Sequence, residues 1–286
     1  MIAKFNFYDI YGYFLPGLVL LFLSGLPFGI VCDRWPSGEL VTALIGIPLA
    51  YVAGHILQAF AVRVFPSTTD RGRFPSDVIL DWKDTIFSSE FKAKLAAKVK
   101  DTFGLDIYAE PPASRDRNDA FFLCRSALIQ AKTASYGEQF EGMYSLMRGL
   151  SLAFLLGAAH FAGWYLSFVD CLRAWVAPGL LGALAVAIAI EFWPPPASAK
   201  AARGKAIASL AAVAVALLCA GYGLAKGQLI DPEVRYFFAG AVLMSVLLSR
   251  KLYHSYQSFT WEFPKAVYRD FATYEKPRGG EDGKAE

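Results

Sequence analysis

Six segments of this chain are almost free of charged residues and are long enough to cross a lipid bilayer. A membrane-spanning helix needs ~20 mostly apolar residues, because the hydrocarbon core is ~30 Å thick and each helical residue rises ~1.5 Å. The sequence therefore predicts an all-α, polytopic membrane protein with about six transmembrane helices. The predicted spans are Tyr13–Cys32, Leu40–Val62, Leu150–Val169, Ala174–Trp193, Ile207–Ala225 and Val234–Ser249.

The composition favours a membrane protein over a soluble one. Hydrophobic residues make up 55% of the chain and charged residues 19%, below the usual quarter. The mean hydropathy is +0.37. A soluble protein with deeply buried helices is the less favoured alternative. The number of spans falls to four or five if one of the Ala-rich segments is re-entrant or interfacial.

The charged residues divide the chain into four regions. Residues 1–62 form an N-terminal transmembrane hairpin, and residues 63–148 form a charged helical insert. Residues 149–249 hold the remaining transmembrane helices, and residues 250–286 form a helix followed by a polar tail. The insert and the C-terminal helix are predicted to make one cytoplasmic helical domain.

The positions of Lys and Arg predict the orientation. With six spans and an N-terminus inside the cell, 24 of the 28 Lys and Arg residues fall on the inner side. Loops that face the cytoplasm carry an excess of Lys and Arg. The prediction is a multi-pass protein of the cell inner membrane, with both termini in the cytoplasm.

The hydrophobic spacing predicts helices in the charged regions. One begins at Ser76 or Asp77 and runs to Phe87, and a second covers Ser89–Phe103 and ends at Gly104. A single long helix is predicted from Asp119 to Val169, with Gly137 and Gly142 as the favoured breaks. The last span continues past Pro264 to Tyr274, and its aromatic stripe is predicted to pack on the Asp119–Arg148 helix.

The second span carries two distinctive faces. Small residues recur every four positions, which lets a neighbouring backbone approach closely. These helix-packing residues are Gly46, Ala50 and Gly54. An adjacent polar stripe is predicted to line a pore or an intramembrane contact, because polar groups at that depth must face protein or water. It consists of Tyr51, His55 and Gln58.

The sequence contains no motif that names a reaction. CxxC, HExxH, P-loop and GxSxG patterns do not occur in it, so no enzyme activity, metal or cofactor is predicted. Cys32 and Cys171 are candidates for a disulfide at the outer surface. Four cations could contact an anionic ligand, although interleaved acids favour a solvated face of mixed charge. These cations are Arg115, Arg117, Arg125 and Lys132.

Three passages of the chain carry a resemblance to known proteins. The first is Phe7-Tyr8-Asp9-Ile10-Tyr11-Gly12-Tyr13-Phe14-Leu15-Pro16-Gly17, and the others run from Phe122 to Arg148 and from Arg250 to Phe271. These passages resemble uncharacterised bacterial multi-span membrane effectors that are linked to antiviral defence, among them Hailong-type channel effectors. The resemblance covers about a third of the chain. It implies a cytoplasmic region that senses a signal and a membrane part that disrupts the bilayer or opens a channel.

Two functions of different classes follow from these patterns. The first is a homo-oligomeric ion channel or pore, which is gated by its cytoplasmic helical domain. The second is a membrane-anchored sensor or scaffold that recruits a soluble partner without forming a pore. The predicted partners are the lipid bilayer, further copies of the chain, and a soluble defence partner or an anionic signalling ligand. An intramembrane enzyme that acts on lipid is the least favoured alternative, because no catalytic constellation occurs.

Overall fold

The fold is known from a computed structural model. It describes residues 8–33, 40–67, 73–108, 114–131, 135–168, 179, 182–183, 199–225 and 231–275. Within these residues the secondary structure is helical, with no strand, as predicted. After a π-helical segment at Asp9–Phe14, the helices are α1 (Leu15–Cys32), α2 (Leu40–Val64), α3 (Pro75–Ile79), α4 (Ser89–Phe103), α5 (Ser114–Gln130), α6 (Ser135–Tyr165), α7 (Ala199–Ala225) and α8 (Pro232–Thr273).

Five of these helical stretches are long and apolar enough to cross a membrane. They are Asp9–Cys32, Leu44–Val64, Gln139–Tyr165, Ile207–Ala225 and Glu233–Thr273. Five of the six predicted spans therefore coincide with such a helix. The sixth, Ala174–Trp193, lies outside the described residues except for Gly179, Gly182 and Ala183.

The chain divides into two compact units. The first, here called the apolar unit, comprises residues 1–67 and 142–258. The second, the charged unit, comprises residues 68–141 and 259–286. Among the described residues, the buried hydrophobic side chains of the apolar unit form two clusters, one that includes Leu152 and one that includes Trp164. Those of the charged unit form one cluster, which includes Leu95 and Tyr268.

Pro16 accounts for the irregular start of the first apolar helix. The backbone is π-helical from Asp9 to Phe14 and becomes α-helical from Leu15. In an α-helix the carbonyl of Gly12 would accept a hydrogen bond from the N–H of residue 16, and proline has none. The first helix therefore changes from π-helix to α-helix directly before Pro16.

The helix predicted from Ser89 to Phe103 has those bounds. The Ser88 hydroxyl caps its start by accepting a hydrogen bond from the Phe91 N–H at 3.2 Å, and Gly104 ends it with a left-handed φ of 71°. The preceding prediction is wrong in length, because α3 ends at Ile79 rather than at Phe87.

Two aspartates explain that early end of α3. The Asp81 carboxylate accepts a hydrogen bond from the Lys83 N–H at 3.1 Å, and the Asp84 carboxylate accepts one from the Ile86 N–H at 2.8 Å. Such local turns compete with the helix for the same backbone groups.

The prediction of one helix from Asp119 to Val169 is also wrong. Helix α5 ends at Gln130 and α6 begins at Ser135. The guanidinium of Arg125 pairs with the carboxylate of Glu141, sixteen positions further along the chain. In a continuous helix those residues would be about 24 Å apart, so the chain has to turn between them. Gly137 and Gly142, the expected breaks, lie inside α6.

The aromatic stripe of α8 packs as the sequence predicts. In the charged unit the Phe263 and Tyr268 rings lie 5.5 and 5.9 Å from the Phe121 ring. In the apolar unit the Tyr256 ring lies 6.1 Å from the Tyr144 ring. Helix α8 is continuous from Pro232 to Thr273, with Pro264 in its interior.

Candidate functional site

Gln58 connects three elements of the apolar unit through its amide. Only 4% of Gln58 is exposed. Its Nε2 donates hydrogen bonds to the carbonyl oxygens of Gly12 and Ser145, each at 2.6 Å. The Gly12 carbonyl is the acceptor to which Pro16 cannot donate a hydrogen bond, because proline has no backbone N–H. The polar side chain of Gln58 is therefore satisfied by backbone groups of the first helical segment and α6 rather than by water.

Arg148 lies beside this amide and is also buried, with 4% of its surface exposed. Its Nε lies 3.3 Å from Oε1 of Gln58, to which it donates a hydrogen bond. The guanidinium carbon is 5.3 Å from the centre of the Tyr144 ring and 5.8 Å from that of the Tyr256 ring. An amide oxygen and two ring faces thus stabilise this cation. We call Gly12, Gln58, Ser145 and Arg148 the polar node.

Glycine at position 149 allows the polar node to form. A Cβ atom there would lie 2.7 Å from Nε2 of Gln58 and 2.9 Å from Cβ and Cγ of Pro16. Any larger residue would therefore push α6 away from both α1 and α2. The helices can approach this closely because Gly149 has no side chain at the contact.

The predicted small-residue face of α2 is divided between two environments. A Cβ at Gly54 would lie 1.9 Å from the Tyr13 carbonyl oxygen, and one at Gly17 would lie 1.8 Å from the Ala50 carbonyl oxygen. Ala50 is fully buried. A Cβ at Gly46 would meet no atom within 4 Å. The α1–α2 contact thus involves Ala50 and Gly54, while Gly46 lies in open space.

The three residues of the predicted polar stripe also lie in two different environments. The His55 ring stacks on the Tyr13 ring, with 3.8 Å between centroids and 15° between planes, and the Tyr51 ring meets His55 edge-on at 4.5 Å. His55 is exposed and Tyr51 is half-buried. The structure brings Tyr51 and His55 together, whereas Gln58 points into the interior.

Two further polar contacts lie within the apolar unit. Ser151 and Ser249 exchange hydrogen bonds, because each hydroxyl reaches the other residue's carbonyl oxygen, at 2.9 and 2.8 Å. In α6, Nε1 of Trp164 donates to Nε2 of His160 at 3.2 Å. Single serines in apolar helices are common and give no sequence signal of a partner.

The candidate anion-binding arginines are engaged with carboxylates of the charged unit. Arg117 is 8% exposed, and its guanidinium lies 3.5 Å from Asp77 and 3.7 Å from Asp81. Arg73 pairs with the same two acids at 2.7 and 3.0 Å. Hydrogen bonds from the Lys83 N–H and from Arg73 lower the pKa of Asp81. Arg125 pairs with Glu141. The side chain of Arg115 and all of Lys132 lie outside the described residues.

Two lysines of the charged unit bind backbone carbonyls. Lys92 of α4 is 1% exposed, and its Nζ donates to the carbonyls of Asp81 and Asp84 at 2.5 and 2.6 Å. Lys98 donates to the carbonyl of Ala272 at 3.1 Å and to that of Tyr274. Burial lowers the pKa of Lys98. These cations satisfy carbonyls that the turns and the end of α8 leave open.

The predicted disulfide involves a residue that the structure does not describe. Cys171 is not among the described residues, so its pairing with Cys32 stays a prediction. Within the described residues no group of three or more His, Cys, Asp or Glu side chains is placed to hold a metal ion.

The fold and the polar node define a class of protein rather than a family. In the part of the chain that the structure describes, the protein is helical, and five of its helices could span a membrane. Buried polar groups connect the first helical segment, α2 and α6. No protein-family model matches the chain, and no curated protein or solved structure is detectably similar to it.

Proposed function

We propose that the protein is a multi-pass membrane protein of the bacterial inner membrane that forms a homo-oligomeric channel or pore, gated by its charged unit. The observation that carries the proposal is the polar node. A buried guanidinium and a buried amide lie on helices that are otherwise apolar enough to cross a bilayer. Ionisable groups inside such helices are costly and commonly mark ion pathways or moving parts.

The connection between the node and the charged unit supports gating. Arg148 belongs to α6, which begins at Ser135, and its ring partner Tyr256 belongs to α8, which ends at Thr273. Both helices therefore include residues of the charged unit. A signal that displaces either helix would act directly on the contacts of Arg148. A role in antiviral defence rests on the sequence resemblance.

Conductance of the purified full-length protein in planar bilayers tests the proposal. We expect discrete current steps for the wild type and an altered open probability for Arg148→Leu. Gln257→Leu, which changes an exposed polar residue of α8, is the matched control and should leave the current unchanged. A wild type that inserts into the bilayer but passes no current under any applied voltage or added cell extract would contradict the channel.

A second function is favoured by the surface of the charged unit. Large apolar side chains are exposed there, with 50% of Trp82 and 54% of Phe122 accessible. Such side chains fit a membrane-anchored scaffold that recruits a soluble partner. In a pull-down with the full chain, Trp82→Ser and Phe122→Ser should lose that partner. If the protein is a scaffold without a pore, cells that express the wild type should keep their membrane potential.

A further inference from the structure

Arg148 of the polar node is a buried cation that has no carboxylate beside it in the described part of the chain. Only 4% of the residue is exposed. Among the described residues, its guanidinium donates one hydrogen bond, from Nε to Oε1 of Gln58 at 3.3 Å, and forms no salt bridge. The amide of Gln58 is neutral. The positive charge of Arg148 is therefore not neutralised by the part of the protein that the structure describes.

The two aromatic neighbours of the guanidinium offset only part of the cost of burying it. The guanidinium carbon lies 5.3 Å from the centre of the Tyr144 ring and 5.8 Å from that of the Tyr256 ring. A ring face attracts a cation through its quadrupole and carries no net charge. Removing a full charge from water costs much more than such a contact returns, unless a counter-charge and hydrogen bonds compensate it. The site therefore favours a negative charge beside Arg148.

The terminal nitrogens of Arg148 offer further hydrogen-bond donors. The bond to Gln58 uses Nε, so the N–H groups of Nη1 and Nη2 remain for another acceptor. Neither nitrogen is among the fully enclosed polar atoms that have no partner, so both reach the small part of Arg148 that stays accessible. A small acceptor can therefore approach these donors from outside the polar node.

Ser145 supplies a second donor without a protein partner. The residue is fully buried, and its hydroxyl makes no hydrogen bond. Ser145 precedes Arg148 by three positions, so the two side chains lie on the same face of α6. Both residues also contact the Gln58 amide, because Nε2 of Gln58 donates to the Ser145 carbonyl at 2.6 Å. A single anion could accept hydrogen bonds from both the hydroxyl and the guanidinium.

We propose that the polar node binds one small monovalent inorganic anion of the size of chloride, between the terminal nitrogens of Arg148 and the hydroxyl of Ser145. A single negative charge matches the single guanidinium. The accessible fraction of 4% at Arg148 allows the approach of a small ion and excludes a bulky one. The inference goes beyond the proposed function, because it requires neither a pore nor a second copy of the chain.

Thermal unfolding of the purified full-length protein in detergent tests the site. Chloride replaces gluconate step by step at constant ionic strength. An anion that binds only the folded state stabilises it, so the ratio of folded to unfolded protein should rise about tenfold for each tenfold rise in chloride above the dissociation constant. Bromide should act in the same way, and its anomalous scattering in crystals should give a peak beside Arg148. A wild type whose unfolding temperature does not respond to chloride would overturn the proposal.

Two variants and a matched control locate the anion. Arg148→Gln removes the charge and should abolish the chloride dependence, whereas Arg250→Gln, which removes an exposed arginine of α8, should leave it unchanged. Ser145→Ala removes a hydroxyl that has no protein partner, so folding is retained even if Arg148→Gln fails to fold. It should weaken chloride binding about fivefold.

The variants can contradict the site in two ways. A chloride dependence that is the same in Arg148→Gln as in the wild type would show that the anion binds elsewhere. Unchanged chloride affinity in Ser145→Ala would overturn the position between the two side chains.

The anion site and the channel can fail separately. Stabilisation by chloride is measured in detergent, where no current flows, and the channel is measured by its current steps. A protein that conducts although chloride does not affect its stability would refute the anion site alone. A protein that chloride stabilises but that passes no current would refute the channel alone.

Discussion

The two units join their helices by different physical means. In the apolar unit, helices approach through Gly17, Gly54 and Gly149, and the buried polar groups there are satisfied mainly by amide, hydroxyl and carbonyl groups. In the charged unit, buried Arg117 and Lys92 contact carboxylates or turn carbonyls. The difference agrees with the composition of the apolar unit, whose long helices are apolar enough to cross a membrane. Hydrocarbon around such helices would offer no water to solvate a charge left exposed at a contact.

The largest expected effect tests close approach in the apolar unit. Gly54→Ala places a methyl group 1.9 Å from the Tyr13 carbonyl oxygen, a backbone atom that cannot turn aside. We expect a loss of about 4 kcal/mol or more in the free energy of unfolding, or no folded protein at all. Gly46→Ala, on the same helix but in open space, should be neutral or slightly stabilising.

Thermal unfolding of both purified variants in detergent measures this difference. Equal stability of Gly46→Ala and Gly54→Ala would show that the α1–α2 contact does not depend on backbone proximity. Close helix approach through glycine would then not distinguish the apolar unit from the charged unit.

The second test addresses the ion pairs of the charged unit. Asp77 is 2% exposed and contacts both Arg73 and Arg117. Asp77→Asn leaves the buried Arg117 with weakened compensation, and we expect a loss of about 3 kcal/mol. Asp101→Asn, on the exposed side of α4, should change stability by less than about 0.5 kcal/mol. Chemical unfolding followed by tryptophan fluorescence reports both, and a neutral Asp77→Asn would mean that these charges do not hold α3 to α5.

A smaller effect is expected at the polar node. Gln58→Leu removes the donor to Gly12 and Ser145 and the acceptor for Arg148. Hydrogen bonds between helices in membranes contribute less than their geometry suggests, so we expect a loss of about 1–2 kcal/mol. Gln257→Leu, where the amide is exposed, is the matched control. A loss at Gln58 as large as that at Gly54 would show that polar contacts rather than sterics dominate the apolar unit.

The helices themselves were largely predictable from the sequence. Runs of apolar residues located five helices that match predicted spans, and Ser88 and Gly104 lie at the ends of α4. Periodicity cannot show a chain reversal between two helices with similar apolar stripes. The turn between α5 and α6 was therefore missed, and glycines inside α6 were taken for breaks. The small size of Gly137 serves packing instead, since a Cβ there would lie 3.3 Å from Val267.

The candidate site was only partly predictable. The spacing of Tyr51, His55 and Gln58 placed them on one stripe, but helical spacing does not say which side a neighbouring helix covers. Arg148 appeared as one more basic residue at a span end. Its burial depends on Tyr256, more than a hundred positions away, and on the absence of a side chain at Gly149. Contacts between distant segments leave no local pattern in a single sequence.

The smallest expected effect concerns a neutral group in the charged unit. Cys124 is fully buried, and burial raises the pKa of its thiol from 9.0 to about 12. The unfolded chain loses this proton near pH 9 while the folded protein keeps it, so the unfolded state binds fewer protons above that pH. The contribution to stability is complete below pH 9 and is lost as the pH rises toward 12. At pH 10 the loss is about 1.4 kcal/mol.

Comparison of the wild type with Cys124→Ala isolates this contribution, because both proteins share Lys98, Tyr108 and the other groups that titrate in alkali. The difference in unfolding free energy between them should be nearly constant from pH 7 to 8.5 and should then shrink, reaching the loss of about 1.4 kcal/mol by pH 10. A difference that stays constant up to pH 11 would mean that water reaches the thiol. The core of the charged unit would then be open to solvent at Cys124. Hydration could stabilise the charges of this unit, whereas the contrast with the apolar unit requires that protein groups stabilise them.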